Sequence, residues 1–116
     1  MCSVANPAPP APFAWVGVTL EDGGGGDLIW VCEFNRALNP VTSTGDNCEF
    51  YLDGLPATYY SGVVDGLDNH KLRITTDWPS DPFGEAEIYY ELTDETIQAV
   101  DGDYAPAYNV TIPSPF

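Results

Sequence analysis

Apolar and polar residues alternate with a period of two along much of the chain, which is the pattern of β-strands with one buried face. The alternation is plainest in 71–75, 85–92 and 107–112. Segment 28–34 differs because its apolar residues occupy both parities, as in a central strand covered on both faces. The pattern predicts about seven strands. The remaining strand candidates are 14–20, 48–52, 57–60 and 61–64.

Turn-forming residues separate these strand candidates at short intervals. Segment 21–27 contains four consecutive glycines, and Asp53-Gly54 is a strong signal for a two-residue hairpin turn. Eleven glycines and eleven prolines in 116 residues argue against a helical bundle, because both residue types destabilise helix interiors. The chain is therefore predicted to form one all-β sandwich of two sheets, with its body at 14–112.

The parity of each strand assigns side chains to the core or to water. Leu72 and Ile74 are predicted to face inward, whereas Lys71 and Arg73 face outward. The same rule places further residues in the core, namely Ala86, Ile88, Tyr90, Tyr108, Val110 and Ile112. It places Glu85, Glu87 and Glu91 on the surface.

Both ends of the chain are rich in proline and lie outside the predicted sandwich. Residues 1–13 are predicted to form an extended polyproline-II-like arm, because consecutive prolines exclude a helix or a central strand. Residues 113–116 form a second tail of the same character. A neighbouring subunit can order such segments. The residues predicted to dock on a partner are Pro7, Pro9, Pro10, Pro12, Phe13 and Phe116.

The charge balance is strongly acidic and restricts the classes of partner. The chain has eighteen acidic residues and three basic ones, Arg36, Lys71 and Arg73, and its net charge is −15. Nucleic acid is excluded as a direct partner and anionic membranes are disfavoured, because both require basic groups. The acidity fits solubility in salty surroundings, docking on a basic protein surface, or binding of divalent cations. No signal peptide or transmembrane run is recognised, so a soluble product made in the cytoplasm is expected.

The sequence offers little for catalysis. Its single histidine, His70, lies in a turn-rich segment, and no nucleophile with a nearby base is recognised, so the chain is predicted not to be an enzyme. Three cysteines, Cys2, Cys32 and Cys48, lack the spacing of a zinc site. Cys32 and Cys48 are expected to be buried free thiols in a reducing compartment and to pair only in an oxidising one.

Two groups of residues are candidates for ligand binding. Calcium is the one cofactor considered, with Asp94, Asp101 and Asp103 as its ligands and the acidic turn 65–69 as a second site. Neither spacing is that of an EF-hand, and turn formation explains the same residues. Four aromatic residues are candidates for a sugar-stacking platform or a protein-contact patch, with core packing as the alternative for some of them. They are Tyr59, Tyr60, Trp78 and Tyr104.

Five short segments together resemble the bacterial immunoglobulin-like repeats of cell-surface adhesins and motility proteins. They are 32–38, 50–54, 71–74, 84–90 and 97–103. Such repeats carry a Gly-Glu before a strand that ends in tyrosine, as Gly84-Glu85 does here, and close with an Ile-Gln-Asp, Gly-Asn pattern. The chain departs from that pattern at Ala99 and Asp103, where the repeats carry aspartate and asparagine. The resemblance implies an immunoglobulin-like sandwich.

A solitary domain of this type also resembles accessory proteins of tailed-phage virions. That resemblance implies a non-enzymatic structural protein, such as a capsid decoration (cement) protein or another head or tail component. Its partners would be other virion proteins, such as a major capsid protein, or further copies of itself. It would assemble in the host cytoplasm and function on the virion surface. The alternative is an adhesion or carbohydrate-binding module, for which Tyr59→Ala or Trp78→Ala is expected to abolish sugar binding.

Overall fold

A computed structural model describes residues 11–78 and 82–116. Within these ranges the chain forms eight β-strands and no helix, so none of the described residues belongs to a helix that could cross a membrane. The strands are β1 (Trp15–Gly24), β2 (Asp27–Phe34), β3 (Glu49–Leu52), β4 (Leu55–Pro56), β5 (Tyr59–Val64), β6 (Lys71–Asp77), β7 (Glu85–Tyr90) and β8 (Tyr108–Pro113).

The eight strands form two antiparallel sheets of four strands each. The first sheet has the order β1-β2-β6-β5 and the second has the order β4-β3-β7-β8. This is the strand order of the immunoglobulin fold, in which strands A, B, E and D face strands C, F and G, with β4 as an additional edge strand beside C. The predicted all-β sandwich is confirmed. The strand count rises to eight because the short β4 pairs with β3 as a separate element.

The path after β3 differs from the prediction. Asp53 and Gly54 form the expected tight turn, with φ angles of 49° and 79°, but the strand that follows contains only Leu55 and Pro56. Proline has no amide hydrogen to extend the ladder, and after Ala57 the chain crosses to the first sheet. The separate strands predicted at 57–60 and 61–64 are wrong, because one strand, β5, begins at Tyr59 and continues to Val64.

The first hairpin is longer and tighter than the glycine run predicts. β1 continues to Gly24 and β2 begins at Asp27, so only Gly25 and Gly26 form the turn. Their φ angles are 62° and 87°, the left-handed conformation that a type I′ hairpin turn requires at both positions. Glycine adopts this conformation without steric cost.

The core lies between the inner faces of the two sheets. Trp30 of β2 is fully buried, its Nε1 donates to Thr76 Oγ1 at 2.9 Å, and its ring lies 4.9 Å from that of Phe50 on β3. Trp15 stacks on Tyr108 with 4.5 Å between the ring centroids, which joins β1 to β8 at one side of the sandwich. The predicted inward residues are confirmed: Leu72, Ile74, Ala86, Ile88 and Tyr90 are buried, and Tyr108, Val110 and Ile112 are partly buried against the core.

The beginning of the sandwich lies earlier than predicted. Phe13 is only 5% exposed and its ring centroid lies 5.4 Å from that of Phe34. Asn35 holds the backbone on both sides of Phe13, since its Nδ2 donates to Pro12 O and its Oδ1 accepts from Ala14 N, each at 2.9 Å. Phe13 is therefore a core residue and is not available to a partner. The predicted docking residues Pro7, Pro9 and Pro10 lie outside the described residues, and Pro12 is exposed.

Candidate docking face

The outer face of the second sheet carries a block of alternating tyrosine and glutamate side chains. In the β3–β7 ladder Glu49 lies opposite Tyr89, and Tyr51 lies opposite Glu87. Opposite residues of an antiparallel pair point to the same face of the sheet. The four side chains therefore form a two-by-two block, with the tyrosines on one diagonal and the glutamates on the other. We refer to Glu49, Tyr51, Glu87 and Tyr89 as the Tyr–Glu face.

Hydrogen bonds and ring packing order the Tyr–Glu face. The two rings meet edge to face, with 5.7 Å between centroids and an interplanar angle of 85°. The Tyr89 hydroxyl donates to Glu87 Oε2 at 2.5 Å, and the Tyr51 hydroxyl makes a longer contact with Glu49 Oε2 at 3.5 Å. The bond to Glu87 raises the pKa of Tyr89. The Tyr89 hydroxyl is thus held as a donor to Glu87, and the glutamate oxygens of the face have further lone pairs to offer.

Shallow depressions surround this block. Three of them, of about 340, 300 and 150 Å³, all include Glu49 and Tyr89 in their walls. Glu91 and Asp94 add carboxylates to the smallest one, and the largest one extends to Asn109 on β8. The surface therefore has several shallow depressions that another molecule can contact, rather than a single deep pocket.

All three basic residues of the chain are engaged elsewhere. Each forms an ion pair with acidic side chains, so across 11–78 and 82–116 no lysine or arginine pairs with a glutamate of the Tyr–Glu face. The Arg73 pair lowers the pKa of Glu21. The ion pairs are Arg36 with Asp101 and Asp103, Lys71 with Asp68, and Arg73 with Glu21 and Asp65.

The predicted calcium ligands are not assembled into a site. Arg36 Nη1 donates to Asp101 at 2.9 Å and to Asp103 at 2.7 Å, so both carboxylates already share an ion pair with one guanidinium. Asp94 instead accepts from the backbone amide of Glu91 at 2.8 Å. Among the residues that the structure describes, no three histidine, cysteine, aspartate or glutamate side chains are grouped to hold a metal ion. The acidic residues of the 65–69 turn pair with Lys71 and Arg73.

The four predicted contact aromatics do not form a platform. Tyr59 packs against the core and donates to Thr44 O at 3.1 Å. Tyr60 is 55% exposed at the β5 bulge, and Tyr104 is 43% exposed in a loop that bridges to Gln98. No ring contact joins any two of Tyr59, Tyr60, Trp78 and Tyr104 within the described part of the chain.

Trp78 belongs to a different aromatic group, formed with Phe83 and Phe116. Its ring lies 5.5 Å from that of Phe83 and 5.1 Å from that of Phe116. A cleft of about 430 Å³ lies between the rings of Trp78 and Phe116 and the glycine turn of the first hairpin. The predicted docking tail is attached to its own domain, since Pro113 ends β8 and Ser114 N donates to Gly84 O at 2.9 Å. Phe116 remains 57% exposed.

The remaining candidate groups have structural surroundings. Cys32 and Cys48 are free and buried, and burial raises the pKa of both thiols. His70 is partly buried at the end of β2, with its Nδ1 3.3 Å from Phe34 O.

The sequence prediction missed the Tyr–Glu face, although one signal for it was present. Glu87 and Tyr89 share the outward parity of β7, which the alternation predicts. The pairing of β7 with β3 does not follow from local pattern, and only that register brings Glu49 and Tyr51 beside them.

The structure is thus an all-β sandwich with one acidic, aromatic sheet surface, and within 11–78 and 82–116 no lysine or arginine pairs with the glutamates of that surface. Neither the comparison with protein-family models nor the search of curated proteins gives a match. The residues of the Tyr–Glu face are therefore the basis for the functional proposal.

Proposed function

We propose that this chain is a non-enzymatic structural protein that docks on other proteins, and that it is an accessory protein of a virion, such as a capsid decoration protein. One observation carries the docking proposal. The three basic residues pair with acids outside the Tyr–Glu face, whereas within 11–78 and 82–116 no lysine or arginine pairs with its glutamates. Such a surface attracts and orients a basic partner surface.

The tyrosines distinguish docking from a general role in solubility. Solubility requires charge but no aromatic rings, whereas protein interfaces are enriched in tyrosine. Tyr51 and Tyr89 are only partly buried and lie between the glutamates. They offer rigid apolar area that becomes buried when a partner covers the face.

The assignment to a virion is supported by the resemblance to phage accessory domains and by the proline-rich ends. The partner would be another virion protein, such as a major capsid protein, or a further copy of the chain that is contacted through the termini. In this proposal the domain assembles in the host cytoplasm and stands on the virion surface. Nucleic acid and membrane are not proposed as partners, given a net charge of −15.

Location tests the virion proposal directly. Particles are purified by density gradient from cells that produce the chain, and its copy number is measured against the major capsid protein by quantitative mass spectrometry. A fixed ratio that survives a high-density spin is expected. A chain found only in the unassembled fraction would overturn the virion assignment.

The role of the arm is tested by removing residues 1–10. This deletion keeps Phe13 in the core and keeps the contacts of Asn35 with 12–14, so the sandwich is expected to fold. If the arm latches the domain onto its assembly, occupancy on particles falls relative to the full chain. Full occupancy of the shortened chain would show that the latch is wrong.

A carbohydrate-binding or adhesion module is the second candidate, and the Trp78–Phe116 cleft favours it. Aromatic rings beside an exposed glycine turn can stack on a sugar. A glycan array tests it with Phe116→Ala, since Phe116 is half exposed and its loss leaves the core intact. Saturable binding that this variant loses supports the module. Binding that Tyr60→Ala, a change outside the cleft, removes equally would argue against the cleft.

A further inference from the structure

We propose that the Tyr–Glu face receives an extended basic segment of a protein partner, in which lysine or arginine side chains occur at alternate positions. The inference rests on the proposed docking function and adds the chemistry and spacing of what is docked. Three features of the face support it: the distance between its carboxylates, its aromatic diagonal, and the contrast with the first sheet.

The spacing of the glutamates matches alternate residues of an extended chain. Glu49 and Glu87 occupy diagonal positions of the β3–β7 ladder, and such neighbours are about 7 to 8 Å apart. In an extended segment residues i and i+2 point to the same side and are separated by about 6.6 to 6.8 Å. Two cations at alternate positions can therefore meet both carboxylates at once. Adjacent cations point to opposite sides and cannot.

The tyrosine diagonal completes a site for cationic side chains. Tyr51 and Tyr89 lie next to both glutamates, so the methylene stem of a lysine, or a guanidinium plane, can lie against a ring while its charge meets a carboxylate. The hydroxyl bond from Tyr89 to Glu87 engages Oε2 and leaves Oε1 of the same carboxylate for a ligand. That bond also fixes both side chains before binding, which lowers the entropic cost of association.

The first sheet shows the corresponding contact made within the chain. Arg73 on β6 reaches over β2 to Glu21 on β1, with 2.9 Å between Nη2 and Oε1, and its Nη1 lies 4.0 Å from Asp65. An arginine thus lies on a sheet face between two carboxylates. The second sheet has the carboxylates, but within 11–78 and 82–116 no arginine or lysine reaches them. The partner would supply the cation.

Two peptide isomers test the spacing. The full chain is titrated at low salt with acetyl-Thr-Lys-Thr-Lys-Thr-amide and with its isomer acetyl-Thr-Lys-Lys-Thr-Thr-amide, and amide chemical shifts are followed by NMR. The alternating isomer places two cations on one side, and the isomer with adjacent lysines places only one there. We expect the alternating peptide to bind about two- to fivefold more tightly, the effect of one additional exposed ion pair with a ring contact. The shifts should concentrate in β3 and β7. Equal affinities, or shifts spread over the acidic loops, would overturn the inference.

A pair of matched variants tests the face. Glu87→Gln removes a carboxylate of the Tyr–Glu face, and Glu33→Gln removes one from the outer face of the first sheet, where it lies opposite Lys71. Both make the same change in net charge. Glu87→Gln should weaken the alternating peptide about two- to fivefold, and Glu33→Gln should leave it unchanged. Equal weakening would mean that only total charge is sensed. If Glu87→Gln fails to fold, the isomer comparison on the unaltered chain still decides.

The two proposals fail separately. Selective peptide binding by a chain that is absent from purified particles would leave the basic-segment site standing and overturn the virion function. A chain present on particles that does not distinguish the isomers would do the reverse.

Discussion

The outer faces of the two sheets both carry acidic side chains, but they differ in whether those side chains have basic partners. On the first sheet Arg73 spans the strands to Glu21, and Val31, which lies beside Arg73 in the ladder, is only 6% exposed although it points outward. On the second sheet Glu49 and Glu87 lie among partly exposed tyrosines without a basic partner in the described residues. The first face carries ion pairs made within the chain, and in our proposal the second face receives its cations from a partner.

The largest loss of stability is expected from a substitution in the core between the two sheets. The contrast between the outer faces holds only if this core joins both sheets in one sandwich. Trp30 of β2 is fully buried and packs on Phe50 of β3. Trp30→Ala should lower the free energy of unfolding by about 3 to 5 kcal/mol, as for other large-to-small changes in cores. Urea denaturation measures it, with the exposed Tyr60→Ala as control. A loss as small as that of the control would contradict the described core.

An intermediate effect is expected from two adjacent tyrosines of β7 that point to opposite faces. The inward Tyr90 hydroxyl accepts from the amides of Thr96 and Ile97 at 3.1 and 3.2 Å, whereas Tyr89 belongs to the Tyr–Glu face. Tyr90→Phe leaves those amides without their acceptor and should cost about 1 to 3 kcal/mol. Tyr89→Phe should cost much less. Thermal unfolding at pH 7 compares them, and equal losses would contradict the assignment of the faces.

The pKa of Tyr90 predicts how stability changes at alkaline pH. Burial raises the pKa of Tyr90 above its ordinary value of 10.0. Because the folded state holds the proton more tightly, this contribution is complete below pH 10 and is lost as the pH rises through the folded pKa. Stability measured by urea denaturation should fall above pH 10, and less steeply for Tyr90→Phe. An unchanged slope in that variant would show that Tyr90 is not responsible.

The smallest effect is expected from the ion pair that covers the first sheet. The Arg73 guanidinium holds the pKa of Glu21 below its ordinary value of 4.5. The contribution of this ion pair to stability is therefore present above pH 4.5 and is lost as the pH falls through the pKa of Glu21 in the folded state. A double-mutant cycle with Arg73→Met and Glu21→Gln should give a coupling of about 0.2 to 1 kcal/mol at pH 7, as for other exposed pairs. The coupling should vanish well below pH 4. A coupling energy that persists at that low pH would show that the ion pair between Arg73 and Glu21 is not its source.

The sequence was sufficient for features that depend on neighbouring residues. Parity along β6 and β7 correctly separated Leu72 and Ile74 from Lys71 and Arg73, and the Asp53-Gly54 signal marked a true turn. Such features follow from the period of a strand and from backbone preferences of short segments.

The errors share a different cause, which is contact between distant parts of the chain. Phe13 resembled part of a proline-rich arm, but its ring packs on the distant Phe34, and Asn35 holds the backbone on both sides of it. Asp101 and Asp103 resembled calcium ligands because their partner, Arg36, lies far away in sequence. The Tyr–Glu face was missed for the same reason, since it depends on the register between β3 and β7.

The occupancy of two single-charge variants on purified particles is the most direct test of docking through the second sheet. Glu87→Gln and Glu33→Gln are each produced beside the unaltered chain, and their copy numbers per major capsid protein are measured over a series of salt concentrations. If the second sheet is the docking face, Glu87→Gln dissociates at a lower salt concentration than the unaltered chain. Glu33→Gln then dissociates at the same salt concentration as the unaltered chain. Identical salt profiles for the two variants would show that the Tyr–Glu face is not where the partner binds.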